Sequence, residues 1–344
     1  MVKNVKNPCN LDGFSFLEFS SLDSQEVRQK FKNLGFTLMA ECHTHPFQVW
    51  QQNNIIFLLN DLPTGQAQNH ARTHEAGACA MGFHVHNKEQ AFETAIENGA
   101  TAANRHPIYD LPSIIGIGGS VIYFTDHSFH PINEEWYIRH HQHPKGAGLE
   151  IIDHLTHNVY RGKLAKWAEF YKNIFGFTEI RDFNIQGKHT GLYSQALVSP
   201  CGKIKIPLNE SKDDKSQIEE FLQEYHGEGI QHIALSTDNI YDSIDKLHEF
   251  GVQFLDTPET YFQQISTRLP WSKESISEMQ KRKILIDGGP KETDGILLQI
   301  FTENIFGPVF FEIIQRKGHS GFGEGNFQAL YEAIERDQIE RGQL

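Results

Sequence analysis

The chain has 344 residues, enough for two domains with buried cores, and its 39% apolar and 22% charged residues are typical of a globular protein. A net charge of −13 argues against nucleic acid and against an anionic membrane as partners. Four cysteines without CxxC spacing, an opening segment without an apolar run and the lack of any apolar stretch near the ~18 residues of a membrane helix predict a cytoplasmic protein.

The spacing of apolar residues predicts a series of similar units, each with a strand, a helix and then further strands. In the second half, the first unit has a strand at 149–159, a helix that ends at Gly176, and strands at 191–198 and 203–208. The second unit has a strand at 230–236, a helix at 240–250, and strands at 296–301 and 309–315. A final helix is expected after the glycine-rich segment 318–326.

The two halves are related by an internal repeat. Residues 77–100 align without a gap with residues 229–252, and the alignment pairs Asn87 with Asn239. Two repeated halves of two units each predict an α+β fold of two open β-barrels built from four βαβββ modules. We expect an N-terminal domain at 1–135 and a C-terminal domain at 149–344. Their connection falls within the connecting segment, residues 126–148, which is rich in histidine, proline and glycine.

The repeat also isolates candidate metal ligands. Three polar residues of the second half align with apolar residues of the first: His154 with Phe16, His232 with Ala80, and Glu312 with Phe124. A shared structural role would not replace polar residues by apolar ones, whereas a metal site kept in one copy only would do so. Two histidines and one carboxylate leave coordination positions open, the arrangement that suits non-haem Fe(II). Because the three are far apart in sequence, separate strands must bring them together.

Other histidines and another cation compete with this interpretation. His140, His141 and His143 resemble a metal-binding tract, but they lie in the connecting segment, where solvated side chains are the ordinary case. Strand alternation places His157 on the face opposite His154. Glu312 lies in an apolar run and needs a positive charge nearby, for which a metal is favoured over Arg316.

Seven motifs in the second half carry a resemblance to a known family: IDHLTHNVYRG, IPLNE, SQIEEFL, GEGIQHIAL, LLQIF, GPVFFEIIQRKG and GFGEGNF. Together they resemble the 4-hydroxyphenylpyruvate dioxygenase family of the vicinal oxygen chelate superfamily, whose paired βαβββ modules agree with the units above. The resemblance implies one Fe(II) per subunit, held by His154, His232 and Glu312, in the C-terminal barrel only. It implies no catalytic side chain beyond these ligands.

The resemblance further implies a substrate pocket, formed by Ser194, Asn209, Gln217, Gln299, Phe301, Phe310, Phe322 and Phe327. For the phenylalanines the ordinary alternative is core packing, and for Asn209 and Gln217 it is a turn residue and the first residue of a helix. Gln231 lies near the pocket in the family, but strand alternation turns it away from the face of His232, so we exclude it. The last helix, hinged at Gly321, Gly323 and Gly325, is expected to act as a lid.

The implied activity is that of tyrosine and phenylalanine breakdown. 4-Hydroxyphenylpyruvate and O2 would give homogentisate and CO2 by oxidative decarboxylation, ring hydroxylation and side-chain migration. The resemblance also implies a homo-oligomer, tetrameric or dimeric. Two alternatives stay open: a 4-hydroxymandelate synthase, which hydroxylates the benzylic carbon of the same substrate, and a non-catalytic binding protein of the same superfamily.

Overall fold

The computed structural model describes residues 6–133, 136–140, 143–186, 191–323, 325–326, 339 and 342. Within these ranges, no helix is long and apolar enough to cross a membrane. The final predicted helix, including Phe327, lies outside the described residues.

The first half forms one sheet of eight strands with three helices. Its elements are β1 (Leu11–Ser21), α1 (Ser24–Asn33), β2 (Thr37–Cys42), β3 (Phe47–Gln52), β4 (Ile55–Asn60), α2 (Gln66–His74), β5 (Ala76–Val85), α3 (Lys88–Glu97), β6 (Ser113–Ile115), β7 (Val121–Thr125) and β8 (Trp136–Ile138). The strand order is β6-β7-β5-β1-β4-β3-β2-β8. The predicted connecting segment therefore contains a strand of the first sheet, and that sheet continues past residue 135.

The second half forms another sheet of eight strands. Its elements are β9 (Leu149–Val159), α4 (Leu164–Phe175), β10 (Thr178–Gln186), β11 (Gly191–Val198), β12 (Lys205–Ser211), α5 (Gln217–Glu224), β13 (Gly229–Thr237), α6 (Ile240–Glu249), α7 (Glu259–Gln263), α8 (Ile265–Arg268), α9 (Ile276–Arg282), β14 (Leu285–Gly288), β15 (Ile296–Phe301) and β16 (Phe310–Lys317). The order is β10-β11-β12-β9-β13-β16-β15-β14. The sequence predicted β9, β11 and β15 with their observed bounds but gave no signal for β10, β14 or α7 to α9.

The structure confirms that the halves repeat the same arrangement. In each sheet a long strand, β1 or β9, pairs in parallel with the last strand of its own unit and antiparallel with the first strand of the next. The aligned asparagines have one role: Asn87 and Asn239 cap α3 and α6, each accepting a hydrogen bond from the backbone N–H three residues on. In the second unit of the first half, the bridge between Ala102 and Ile114 corresponds to the bridge between Phe254 and Thr302, and no strand among the described residues of that unit corresponds to β14.

Strand register tests the alignment of the candidate ligands. His154 lies opposite Ala234, and Phe16 lies opposite Gly82, so the match of His154 with Phe16 is correct. The match of Glu312 with Phe124 is wrong by one residue, because Glu312 pairs with Ala234 whereas Gly82 pairs with Tyr123. The counterpart of Glu312 is therefore Tyr123.

In the first half these counterparts form an aromatic cluster instead of a polar site. The ring of Phe16 lies 6.1 Å from that of Tyr123 and 5.5 Å from that of Phe129. A side chain at Gly82 would overlap the Phe16 ring, so only glycine leaves room for it. The positions of the triad are thus taken by apolar or aromatic residues in the first half, although His106, 4.9 Å from Tyr123, and its partner Glu18 are buried beside them.

The opposite face of β9 packs against α4, which ends at Gly176 in the left-handed conformation, as predicted. There His157 is fully buried, and its Nε2 lies 2.8 Å from the hydroxyl of Tyr171. Its Nδ1 has no hydrogen-bonding partner among the described residues. Burial lowers the pKa of His157 from 6.5 to about 3, so the imidazole is neutral in the folded protein.

The substitution His157→Asn is expected to make the free energy of unfolding depend less on pH below pH 6.5. In the unfolded chain His157 is protonated below pH 6.5, whereas in the folded chain it is protonated only below about pH 3. The wild type therefore loses about 1.4 kcal/mol of unfolding free energy per pH unit from this group as the pH falls. Urea unfolding between pH 6.5 and 4, with chelator present, should show this slope reduced in the variant. An unchanged slope, equal to that of the exposed control His127→Asn, would contradict the assignment.

Candidate metal centre

Three adjacent strands bring the predicted ligands together. His154 is on β9, His232 on β13 and Glu312 on β16, and β13 lies between the other two strands. Nε2 of His154 lies 3.1 Å from Oε2 of Glu312, and Nε2 of His232 lies 3.5 Å from the same oxygen. All three side chains are buried. Within the described part of the chain, this is the only group of three or more His, Cys, Asp or Glu side chains close enough to hold one metal ion.

The charges in this group are coupled. Burial by itself would raise the pKa of Glu312, but the positive charge and hydrogen bonds of the two imidazoles lower it to about 2. The imidazoles respond differently. Burial would lower the pKa of His154, yet Glu312 and Asp153 raise it, whereas burial keeps the pKa of His232 below its ordinary value. A buried anion between two nitrogen ligands is the electrostatic setting that a divalent cation completes.

Both imidazoles are oriented by the residue that precedes them. Nδ1 of His154 donates to Oδ1 of Asp153 at 2.9 Å, and Nδ1 of His232 donates to Oε1 of Gln231 at 2.9 Å. Because Nδ1 is occupied in each imidazole, Nε2 is the nitrogen that faces Glu312 and that can bind a metal ion once it is deprotonated. Gln231, which strand alternation excluded from the substrate pocket, therefore contacts a ligand histidine.

A β-bulge explains why strand alternation failed at these positions. Along the ladder of β9 and β13, His154 pairs with Ala234 and Ile152 pairs with Leu235, which leaves Asp153 as an extra residue. Gln231 is likewise the extra residue between Ile230 and His232. A bulge redirects the side chain of the extra residue, so that it and its neighbour reach the same place. The only sequence signal was a polar residue directly before each histidine.

The other oxygen of Glu312 is held by a predicted pocket residue. Nε2 of Gln299, on β15, donates to Oε1 of Glu312 at 2.6 Å and to the carbonyl oxygen of Phe322 at 3.1 Å. Gln299 thus joins the carboxylate to the segment that leads into the final predicted helix. The carboxylate has one oxygen fixed and the other turned towards the two imidazoles.

Three of the four predicted phenylalanines surround the imidazoles. Phe310 stacks on His232 at 4.9 Å, and Phe301 lies 6.4 Å from the same ring. Phe322 meets His154 edge to face at 5.4 Å. Aromatic rings exclude water and can pack on a planar ligand. Phe327 lies outside the described residues.

Buried polar side chains continue the same sheet face away from the triad. Ser194 and Asn209 are opposite each other on β11 and β12, and Asn209 is opposite Asn158 on β9. Both amide atoms of Asn158, Oδ1 of Asn209 and Oγ1 of Thr156 are buried without a hydrogen-bonding partner among the described residues. Such groups are ready to bind a polar ligand or water. Sequence reasoning missed Thr156 and Asn158 as pocket candidates, although both alternate with His154.

Gln217 is the first residue of α5, as predicted, where it is half-buried directly after the capping residue Ser216. It stands at the end of a short connection from β12, the strand that carries Asn209. The structure therefore places seven of the eight predicted pocket residues and all three predicted ligands on β9, β11, β12, β13, β15, β16 and the ends of adjoining segments.

Two family models match the chain. Residues 5–134 match the N-terminal domain of hydroxyphenylpyruvate dioxygenase, and residues 151–300 match the glyoxalase/bleomycin resistance protein/dioxygenase superfamily. A fusion of a xylose isomerase-like TIM barrel with 4-hydroxyphenylpyruvate dioxygenase has the same fold over 95% of this chain, with a TM-score of 0.82 and 28% identity. This chain spans 53% of that longer protein. The fold and the buried triad define a protein of the glyoxalase and dioxygenase superfamily.

Sequence relatives narrow this class to one family. The chain is 58% identical to 4-hydroxyphenylpyruvate dioxygenase of Legionella pneumophila (strain Corby), over 98% of both chains. It is 49% identical to the protein of the same name from Pseudomonas aeruginosa, over 98% of this chain and 97% of that one. The chain belongs to the 4-hydroxyphenylpyruvate dioxygenase family. The predicted resemblance, the predicted fold class and the assignment to enzymes of this family are confirmed.

Proposed function

We propose that this chain converts 4-hydroxyphenylpyruvate and O2 to homogentisate and CO2, with one Fe(II) in each subunit held by His154, His232 and Glu312. The observation that carries this proposal is the buried triad, formed on adjacent strands in a member of the family that is 58% identical to a relative of that name.

The donor atoms fit the proposed ion. Two neutral imidazoles and one carboxylate on one side of a cation leave positions open for other ligands, as non-haem Fe(II) enzymes require. The site has a net charge of about +1 with Fe(II), so an anionic 2-oxo acid is attracted to it. Bound Fe(II) would supply the coordination positions and the electrons for the reaction with O2.

The side chains around the triad orient the substrate. If the 2-oxo acid group lies at the triad, the aromatic ring packs among Phe301, Phe310 and Phe322, which also exclude water. The phenol hydroxyl then reaches Ser194 and Asn209 at the polar end of the same sheet face. Because these groups are neutral, they bind the hydroxyl without ionising it. Holding the substrate at both ends fixes the ring carbons for attack.

Oxygen uptake by the purified protein tests the proposal. With Fe(II), ascorbate and 4-hydroxyphenylpyruvate, we expect one O2 consumed and one homogentisate formed per substrate, identified by chromatography of the product. A product hydroxylated at the benzylic carbon would identify a 4-hydroxymandelate synthase instead. No O2 uptake at full iron loading would favour a binding protein. The expected cytoplasmic location and homo-oligomeric assembly remain predictions from the sequence.

A further inference from the structure

The two ligand histidines are held by different chemical groups. Gln231 offers His232 one neutral amide oxygen, whereas Asp153 offers His154 a carboxylate. Asp153 is also bound by two cations. Arg316 donates to both of its oxygens, at 2.8 Å each, and Nζ of Lys205 lies 3.3 Å from Oδ2. The carboxylate is buried, so these contacts compensate its charge in a place that water does not reach.

The bulge that presents Asp153 belongs to the fold and does not depend on this residue. In the first half, register shifts between β1 and β5 leave Ser15 and Cys79 as extra residues, in the positions of Asp153 and Gln231. That half has Phe16 where His154 stands. The backbone geometry therefore persists without an aspartate, and the carboxylate is specific to the half that carries the triad.

Arg316 connects this carboxylate to the segment that follows β16. Its Nη1 donates to the carbonyl oxygens of His319 and Gly321. Its guanidinium lies 5.8 Å over the ring of Phe322, and that ring in turn contacts His154. Each of four residues therefore contacts the next in a ring: His154, Asp153, Arg316, Phe322 and again His154. This ring of contacts links a ligand imidazole to the start of the C-terminal segment.

We propose that Asp153 is a positioning residue and that, through Arg316, it couples the orientation of His154 to the docking of residues 319–323. With Nδ1 of His154 bound to Asp153, Nε2 faces the metal position. When Arg316 is bound to Asp153, its guanidinium also donates to the carbonyl oxygens of His319 and Gly321. Phe322 then stays in contact with the imidazole of His154. Metal binding and segment docking then stabilise each other, because coupling between two sites is reciprocal. This inference rests on the metal-binding part of the proposed function and not on the substrate.

Co(II) binding under anaerobic conditions, followed by its visible spectrum and by calorimetry, tests the positioning role. Loss of an orienting partner of a ligand typically weakens metal binding about 10- to 100-fold. We expect this loss in Asp153→Asn and, because Arg316 holds Asp153, also in Arg316→Gln. If Asp153 and Arg316 act as a unit, the fold-loss of Co(II) affinity in the double variant should be smaller than the product of the fold-losses in the two single variants. Asp245→Asn is the matched control: Asp245 on α6 makes a similar pair with Arg282 on α9, and this variant should bind Co(II) as the wild type does.

Hydrogen exchange of the wild type tests the coupling without any substitution. Adding Co(II) should slow exchange of the backbone amides of residues 319–323. In Asp153→Asn, the same addition should have a smaller effect. Wild-type Co(II) affinity in both single variants, or wild-type exchange that Co(II) leaves unchanged, would overturn the inference. Failure of the wild type itself to bind Co(II) or Fe(II) would instead overturn the proposed function.

Discussion

Glu312→Gln is expected to lower metal affinity and O2 uptake by more than about 100-fold, beyond the 10- to 100-fold that loss of an orienting partner typically causes. The amide keeps the size of the side chain but removes the negative charge. Two neutral imidazoles and an amide would leave the charge of Fe(II) uncompensated in a buried site, which is costly. In the wild type, Nε2 of Gln299 donates to Oε1 of Glu312. In the Glu312→Gln variant, the new amide would lie against this same donor.

Metal content after dialysis against Fe(II), together with single-turnover O2 uptake, measures this effect. Glu249→Gln, at the exposed end of α6, is a control for the same chemical change away from the site and should keep wild-type values. Equal thermal unfolding of the two metal-free variants would show that the fold is retained. Wild-type iron content in Glu312→Gln would remove the carboxylate from the ligand set.

Gly323→Ala is expected to lower turnover about 10- to 100-fold, because it disturbs the support of a ligand without touching the ligand. Gly323 has a φ of +79°, and a Cβ there would overlap the amide of Gln299. That amide donates to Glu312 and to the carbonyl oxygen of Phe322. Moving it would release Oε1 of Glu312 and shift the segment over the site. The backbone strain of a side chain at this φ adds roughly 1–2 kcal/mol.

The matched control separates the overlap from the strain. Gly251, after α6, has a φ of +90° and open space around its Cβ position, so Gly251→Ala introduces similar strain without an overlap. We expect Gly251→Ala to lower the melting temperature slightly and to keep turnover. If Gly323→Ala lost no more activity than Gly251→Ala, Gln299 would not be needed to hold Glu312. Steady-state O2 uptake and thermal unfolding of both variants decide between these results.

The sequence by itself determined the repeated units, several strand bounds and the identity of the three residues that meet on adjacent strands. The paired caps Asn87 and Asn239 and the glycine after α4 are local signals, since each depends on a few neighbouring residues. Alternation along β9 was enough to separate His154 from His157, which packs on Tyr171. Residues on opposite faces of one regular strand can be assigned without knowing its partners.

Only the tertiary structure decided how the ligands are held. A bulge is defined by the pairing of two strands, so strand alternation within β13 could not show that Gln231 reaches His232. Strand register likewise depends on the partner strand. The sequence alignment matched Glu312 with Phe124, whereas the register shows that its counterpart is the neighbouring residue, Tyr123. Arg316 and Asp153 are distant in sequence and meet only because β9 and β16 flank β13. Local pattern fixes which face a residue occupies on a regular strand, whereas contacts between strands fix what that residue touches.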